Sequence, residues 1–222
     1  MFTPFNDAAT EPAIHGFLHV PERVNGDAIV LTHGAGANCQ TKLLTGMSEV
    51  LAEQGFAVLR FDLPFRQARP HGPPSPATAN RDRDGLRRAA ELLKREVTGR
   101  IFVGGHSYGG RQATILLSEE PNLVDGLLLL SYPLHPPRKP EQLRTSHFPK
   151  ISTPAFFVHG TRDPFGSIEE MNSALKLLAG PHQLYEVPGA GHDLLAKSGG
   201  HELTEKIVQE FTKFLAKFVN RS

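Results

Sequence analysis

Six short apolar or alternating runs recur along this chain, and each is broken by glycine or proline near its end: AIVLTHG (28–34), AVLRFD (57–62), RIFVGG (100–105), DGLLLLSY (125–132), PAFFVHG (154–160) and HQLYEVP (182–188). Runs this short and this continuously apolar suit strands buried on both faces. Such burial arises when helices cover both sides of a parallel sheet. The segments between them supply the helices. Leu43, Leu44, Met47, Val50 and Leu51 keep helical spacing, with Gly55 where a helix C-cap belongs. Leu86, Ala89, Ala90, Leu93 and Val97 mark a second helix, and a third is expected over 108–119. Ser167 with Glu170 forms a capping box that opens a helix through Met171, Ala174, Leu175 and Leu178. Leu203, Ile207, Phe211, Phe214, Leu215 and Phe218 line one face of a closing helix. The expected fold is therefore a single α/β domain spanning 1–222, a mostly parallel central sheet with helices on both faces and an antiparallel edge strand around Ala13–Val20.

Composition narrows the partners. A net charge of +1 offers no field to gather nucleic acid or an anionic membrane surface. Arg81, Arg83, Arg87, Arg88 and Arg95 alternate with Asp82, Asp84, Glu91 and Glu96, which reads as a solvated helix face. Cys39 is the only cysteine, so no intrachain disulfide can form. The N-terminal MFTPFNDAATEP has neither a basic nor an apolar leader-like region, and the aliphatic run Leu127–Leu130 is far below the ~20 residues that span a bilayer. A soluble, cytoplasmic protein is expected.

The third run leads into GGHSYGGR (104–111), in which Gly105, Ser107 and Gly109 spell G-x-S-x-G. A serine hydroxyl is a weak nucleophile at neutral pH and needs a histidine to take its proton. That histidine in turn needs a carboxylate to hold its tautomer. On a nucleophile-elbow sheet the chain order is serine, acid, histidine, each on a loop at the carboxyl edge. HGTRDPFG (159–166) places Asp163 on such a loop, and VPGAGHD (187–193) places His192 on the next. The competing residues fit less well. His159 lies inside a strand, His106 is expected to point away from the serine, Asp62 precedes Ser107, and Asp193 adjoins His192. A tetrahedral oxyanion also needs donors, and the backbone N–H groups of Tyr108 and of Ala35 in HGAGAN (33–38) are the candidates.

Other readings of the same glycines are weaker. IVLTHGAGANC (29–39) opens like a dinucleotide loop, but the third glycine of G-x-G-x-x-G falls on Cys39. No glycine loop ends in Gly-Lys-Ser/Thr, so a P-loop has no support. His15 and His19 share i,i+4 spacing without a third metal ligand in view. No cofactor and no metal are expected. Cys39 reads as a small buried residue at a helix start, and Arg111 as a structural hydrogen-bond anchor.

Taken together, HGAGAN, GGHSYGGR, Asp163 and His192 resemble the α/β-hydrolase superfamily from about residue 14 onward. The likeness is closest to compact dienelactone-hydrolase-like members. The pairing of HGAGAN with GGxSxGGR is similar to a branch that includes a testis-expressed hydrolase-like protein and a non-specific-lethal chromatin-complex subunit. The resemblance implies Ser107 as nucleophile, Asp163 as acid, His192 as base, and Ala35 with Tyr108 as the oxyanion hole. Dienelactone hydrolases use a cysteine nucleophile where this chain has Ser107, so their substrate does not carry over. The implied activity is hydrolysis of a small or short-acyl ester or thioester through an acyl-enzyme. Some members of the branch act instead as non-catalytic scaffolds, which is the alternative. The connection from about His135 to Thr153 is Pro-rich and not strongly apolar, so no lid domain is expected and the site should be an open cleft.

Overall fold

In a computed structural model, which describes residues 2–9, 11–195 and 200–219, one eight-stranded sheet organises the chain in the order β1-β2-β4-β3-β5-β6-β7-β8. Its strands are β1 (Phe2–Asp7), β2 (Ile14–His19), β3 (Ala28–Thr32), β4 (Ala57–Phe61), β5 (Ile101–His106), β6 (Gly126–Leu130), β7 (Ala155–Gly160) and β8 (His182–Val187). From β4 to β8 all neighbours are parallel, while β1 and β2 join antiparallel. The six runs form the parallel strands β3 to β8. The seventh strand, β2, is antiparallel as expected but is not the sheet edge, because β1 pairs along its outer side from Phe2↔His19 to Asp7↔Ile14. β1 is largely exposed and holds Pro4, a residue that only an edge strand tolerates. It therefore has no apolar run to announce it.

The double burial inferred for the central strands has a direct counterpart in the core. Along β3, Val30 faces a cluster with Leu59, Leu86, Leu116 and Leu127, whereas Ile29 and Leu31 face a second cluster with Leu44, Met47, Phe102 and Phe211. The helices α3 (Ala79–Glu96), α4 (Tyr108–Glu119) and α5 (Ile168–Leu175) cover the first face, and α1 (Lys42–Glu53) and α6 (Gly200–Phe218) cover the second. Phe211 is fully buried between Phe102 and Phe156, with ring centroids 5.7 and 5.9 Å away. Truncating such a side chain to alanine costs about 3–5 kcal/mol. Ser167 and Glu170 do form the reciprocal capping box that opens α5.

The remaining helix, α2 (Pro64–Ala68), lies within the Pro-rich stretch after β4, with proline at its start where the missing N–H costs nothing. The charged stripe on α3 is solvated at Arg81, Asp84, Glu91, Arg95 and Glu96 but not throughout. Asp82 is fully buried, Arg83 donates to Gln112 Oε1 (3.0 Å), Arg88 pairs with Asp7, and Arg87 pairs with Glu120 at the end of α4. These polar groups fasten α3 to its neighbours.

Candidate active site

Ser107 occupies the sharp turn between β5 and α4 with φ 52 and ψ −113, a left-handed conformation that a non-glycine residue adopts only under constraint. The flanking glycines make the constraint possible. A Cβ on Gly105 would lie 2.7 Å from Gly110 N, and one on Gly109 would lie 2.6 Å from Thr32 Cγ2 and 2.7 Å from His33 O. Only glycine lets the start of α4 pack this closely on β5 and β3, and that packing lifts Ser107 to the carboxyl edge of the sheet.

His192 and Asp163 arrive at the same edge from the loops after β8 and β7. His192 Nε2 lies 2.8 Å from Ser107 Oγ, and His192 Nδ1 lies 2.8 Å from Asp163 Oδ2. With Nδ1–H donating to the carboxylate, Nε2 is left free to accept the serine proton. The Asp163 side chain is fully buried, and its Oδ1 accepts from the Phe165 amide at 2.9 Å. Phe165 also lays its ring over His192, with centroids 4.1 Å apart. The three residues singled out from chain order thus form one continuous hydrogen-bonded series.

The other histidines have different roles. His159 is buried in β7, its Nε2 donating to Gly166 O at 2.8 Å, and burial holds its pKa below the ordinary value. His106 does not turn away from the site: its Nε2 donates to the His192 carbonyl at 2.8 Å, and the two rings are 5.1 Å apart. Burial lowers its pKa too. It is therefore a neutral strut between β5 and the loop that carries His192. Asp193 is exposed. His19 accepts from Arg60 Nε at 2.9 Å, while His15 is exposed, so the pair does not share a ligand position. Among the described residues no group of three or more His, Cys, Asp or Glu is placed to hold a metal ion.

Around the backbone donors proposed from sequence, two charged residues do the fastening. Tyr108 is the first residue of α4, so its N–H has no intrahelical acceptor. Its hydroxyl donates to Asp82 Oδ2 at 2.7 Å, and Asp82 Oδ1 accepts from the Phe65 amide at 2.9 Å. Burial raises the pKa of both Asp82 and Tyr108. On the facing loop, the Arg66 guanidinium donates to Ala37 O (2.8 Å), Ala35 O (2.9 Å), Gly72 O (3.1 Å) and Arg69 O (3.2 Å). Sequence reasoning passed over both. Asp82 could have been found, because it lies four residues before Leu86 on the apolar stripe of its helix. Arg66 had no such signal inside a Pro-rich stretch.

Asp62 is also structural: its Oδ1 accepts from the Cys39 amide at 2.6 Å and lies 3.5 Å from His33 Nε2. Cys39 is 1% exposed, and burial pushes its thiol up to about 12, as fits a buried packing residue. Arg111 departs from the anchor expected of it, since its Nε is buried without a partner among the described residues. In the connection after β6, Phe148 is fully buried against Tyr132 and Phe157.

A nucleophile elbow at the carboxyl edge of a parallel sheet, with an acid and a histidine on the next two strand loops, defines an α/β hydrolase arrangement. Residues 25–220 match the family model described as an alpha/beta hydrolase domain, and the chain belongs to that family. Among solved structures, a dienelactone hydrolase from Anabaena variabilis matches with a TM-score of 0.75 at 20% identity, covering 99% of each chain. Est1E from Butyrivibrio proteoclasticus matches with a TM-score of 0.75 at 16% identity, over 96% of this chain and 99% of its own. A Xanthomonas campestris α/β serine hydrolase without a lid matches with a TM-score of 0.70 at 14% identity, over 100% of this chain and 96% of its own. Family and fold together support a hydrolase. No helix among the described residues is long and apolar enough to cross a membrane.

Proposed function

We propose that this protein is a serine hydrolase that cleaves small or short-acyl esters or thioesters. The observation that carries the reading is the series Asp163–His192–Ser107, joined by two 2.8 Å hydrogen bonds and ending on a serine held at φ 52. His192 Nε2 takes the Ser107 proton as Oγ attacks the substrate carbonyl, and Asp163 stabilises the imidazolium. The tetrahedral oxyanion accepts from the Tyr108 and Ala35 N–H groups. Collapse breaks the bond to the alcohol or thiol, which leaves with the proton from His192, and the acyl group stays on Ser107. Water then attacks the acyl-enzyme with His192 as base, releasing the carboxylic acid and restoring the serine. The connection after β6 holds one short 3₁₀ turn (Phe148–Lys150) and no lid helix, which favours small substrates, and a single buried cysteine suits a reducing, cytoplasmic compartment.

A fluorophosphonate tests the reading. It is expected to label the folded protein on the peptide containing Ser107 and to leave Ser107→Ala unlabelled. A folded wild-type protein that resists labelling would favour the scaffold alternative.

A further inference from the structure

His33 directly follows β3, opens the 33–38 loop and is fully buried. Both of its ring nitrogens meet backbone groups. Nδ1 lies 2.8 Å from the carbonyl oxygen of the next residue, Gly34, and Nε2 lies 3.1 Å from the amide of Leu63, the residue that caps α2. A carbonyl can only accept and an amide N–H can only donate, so the two contacts require one tautomer, with Nδ1 protonated and Nε2 bare. The opposite tautomer would aim Nε2–H at Asp62 Oδ1, 3.5 Å away, but it would also set Nε2–H against the Leu63 N–H and an Nδ1 lone pair against Gly34 O. Burial holds the His33 pKa below its ordinary value, so the ring stays neutral.

The grip on Gly34 O orients a donor. The Gly34 C=O and the Ala35 N–H belong to one planar trans peptide and point in opposite directions. This carbonyl is drawn toward the buried His33 ring and accepts also from the Ala37 amide at 3.1 Å, which turns the Ala35 N–H away from that ring. The Ala35 N–H has no acceptor among the described residues, and the Ala35 carbonyl is itself held by Arg66 Nη2 at 2.9 Å. A hydrogen bond received at the carbonyl also polarises the peptide and makes its N–H a stronger donor. The peptide stands beside the nucleophile: a Cβ on Gly34 would lie 3.4 Å from Ser107 Cβ and 3.0 Å from His106 Nδ1.

Building on the assignment of Ser107 as nucleophile, we propose that His33 is a positioning residue for the oxyanion hole, its Nδ1–H fixing the Gly34–Ala35 peptide so that the Ala35 N–H faces the developing oxyanion. Two variants separate the ring's two contacts. Asn places its amide nitrogen where Nδ1 stands and keeps the donor to Gly34 O, whereas Gln reaches the place of Nε2 and keeps only the contact to Leu63. His33→Gln should lower kcat on p-nitrophenyl acetate by about tenfold, the worth of one hydrogen bond and less than the roughly 10²–10³ that loss of a whole oxyanion donor costs. KM should stay within about threefold, because the effect falls on the transition state. His33→Asn should recover most of the lost rate. Phenylboronate, whose tetrahedral adduct on Ser107 puts an oxygen in the oxyanion position, should lose affinity in His33→Gln by the same factor. Its dissociation constant does not depend on the folded fraction. A His33→Gln protein within about twofold of wild type in kcat and boronate affinity overturns the proposal. So do Asn and Gln variants that lose equally, since a merely structural ring would not distinguish the two atoms.

Long-range proton–nitrogen NMR of the wild type reads the tautomer without any turnover. Protonated Nδ1 with bare Nε2 upholds the geometry, and the opposite tautomer overturns it whether or not an ester is cleaved. Ser107→Ala in the same ester assay reports on the reading beneath: an undiminished rate there removes the serine-hydrolase assignment while the tautomer result stands. Turnover that is lost in Ser107→Ala but untouched in both His33 variants removes the His33 role and leaves the hydrolase reading intact.

Discussion

Replacing Arg66 with leucine should slow catalysis without touching any group that reacts. The Arg66 guanidinium holds the carbonyls of Ala35 and Ala37 on one side and of Arg69 and Gly72 on the other, so one side chain ties the 33–38 loop, proposed above as the oxyanion loop, to the Pro-rich loop. A hydrogen bond to a charged group contributes about 1.5–3 kcal/mol net. Two such bonds reach the oxyanion loop, and freed carbonyls at the loop surface recover part of the loss through water. About 1.5–3 kcal/mol of preference for the present Ala35 geometry should therefore disappear. At ~1.4 kcal/mol per tenfold, kcat should fall by about 10- to 100-fold, below the 10²–10³ that loss of a whole oxyanion donor costs. KM should change by less than about threefold, because the effect falls on the transition state. Arg66→Lys, which keeps the charge but not the fork, should be intermediate. The assay is steady-state hydrolysis of a short-acyl nitrophenyl ester, with active sites counted by phosphonate titration. A folded Arg66→Leu enzyme whose kcat stays within twofold of wild type would refute the positioning role.

Ser107→Ala should remain folded and lose on the order of 10⁴–10⁶ in kcat, read by ester hydrolysis beside a thermal melt. Cys39→Ala should keep most activity, and native Cys39 should resist iodoacetamide at pH 8, since its thiol is buried and pushed up to about 12; loss of acylation with folding intact would give the thiol a role after all. Burial and the Arg60 charge lower the His19 pKa from 6.5 to about 4, so the unfolded chain takes up this proton first as pH falls. The resulting loss of stability should begin below pH 6.5 and be complete near pH 4, and His19→Gln should flatten that part of a Tm–pH profile. Across a chain-length series of neutral esters, kcat/KM should not climb from acetyl to long acyl groups or jump at micelle formation, because each added CH₂ gains its ~0.8 kcal/mol only in a deep apolar tunnel.

The central sheet was legible because its strands are buried on both faces and so leave runs such as LLLL and AFFV. β1 was not, because its six residues FTPFND are an exposed edge strand broken by Pro4, with two isolated phenylalanines and no alternation. Ser107, Asp163 and His192 could be brought together from chain order, since the roles proposed for them fix which strand loops they would occupy. The residues that support them were hidden for different reasons. Asp82 sits among charges that look solvated, although its helical position is buried. His106 is the last residue of β5, at the elbow, where strict alternation no longer predicts direction, and it meets the His192 carbonyl. Arg66 acts through four carbonyls, and backbone acceptors have no sequence signature.

The covalent intermediate is the most direct test of the whole account. Rapid quenching of the enzyme with p-nitrophenyl acetate, followed by peptide mass spectrometry, should find an acetyl group on the peptide containing Ser107 within the first turnover, and none on Ser107→Ala. Hydrolysis that proceeds with no acyl group on Ser107, or with the acyl group on another residue, would contradict it.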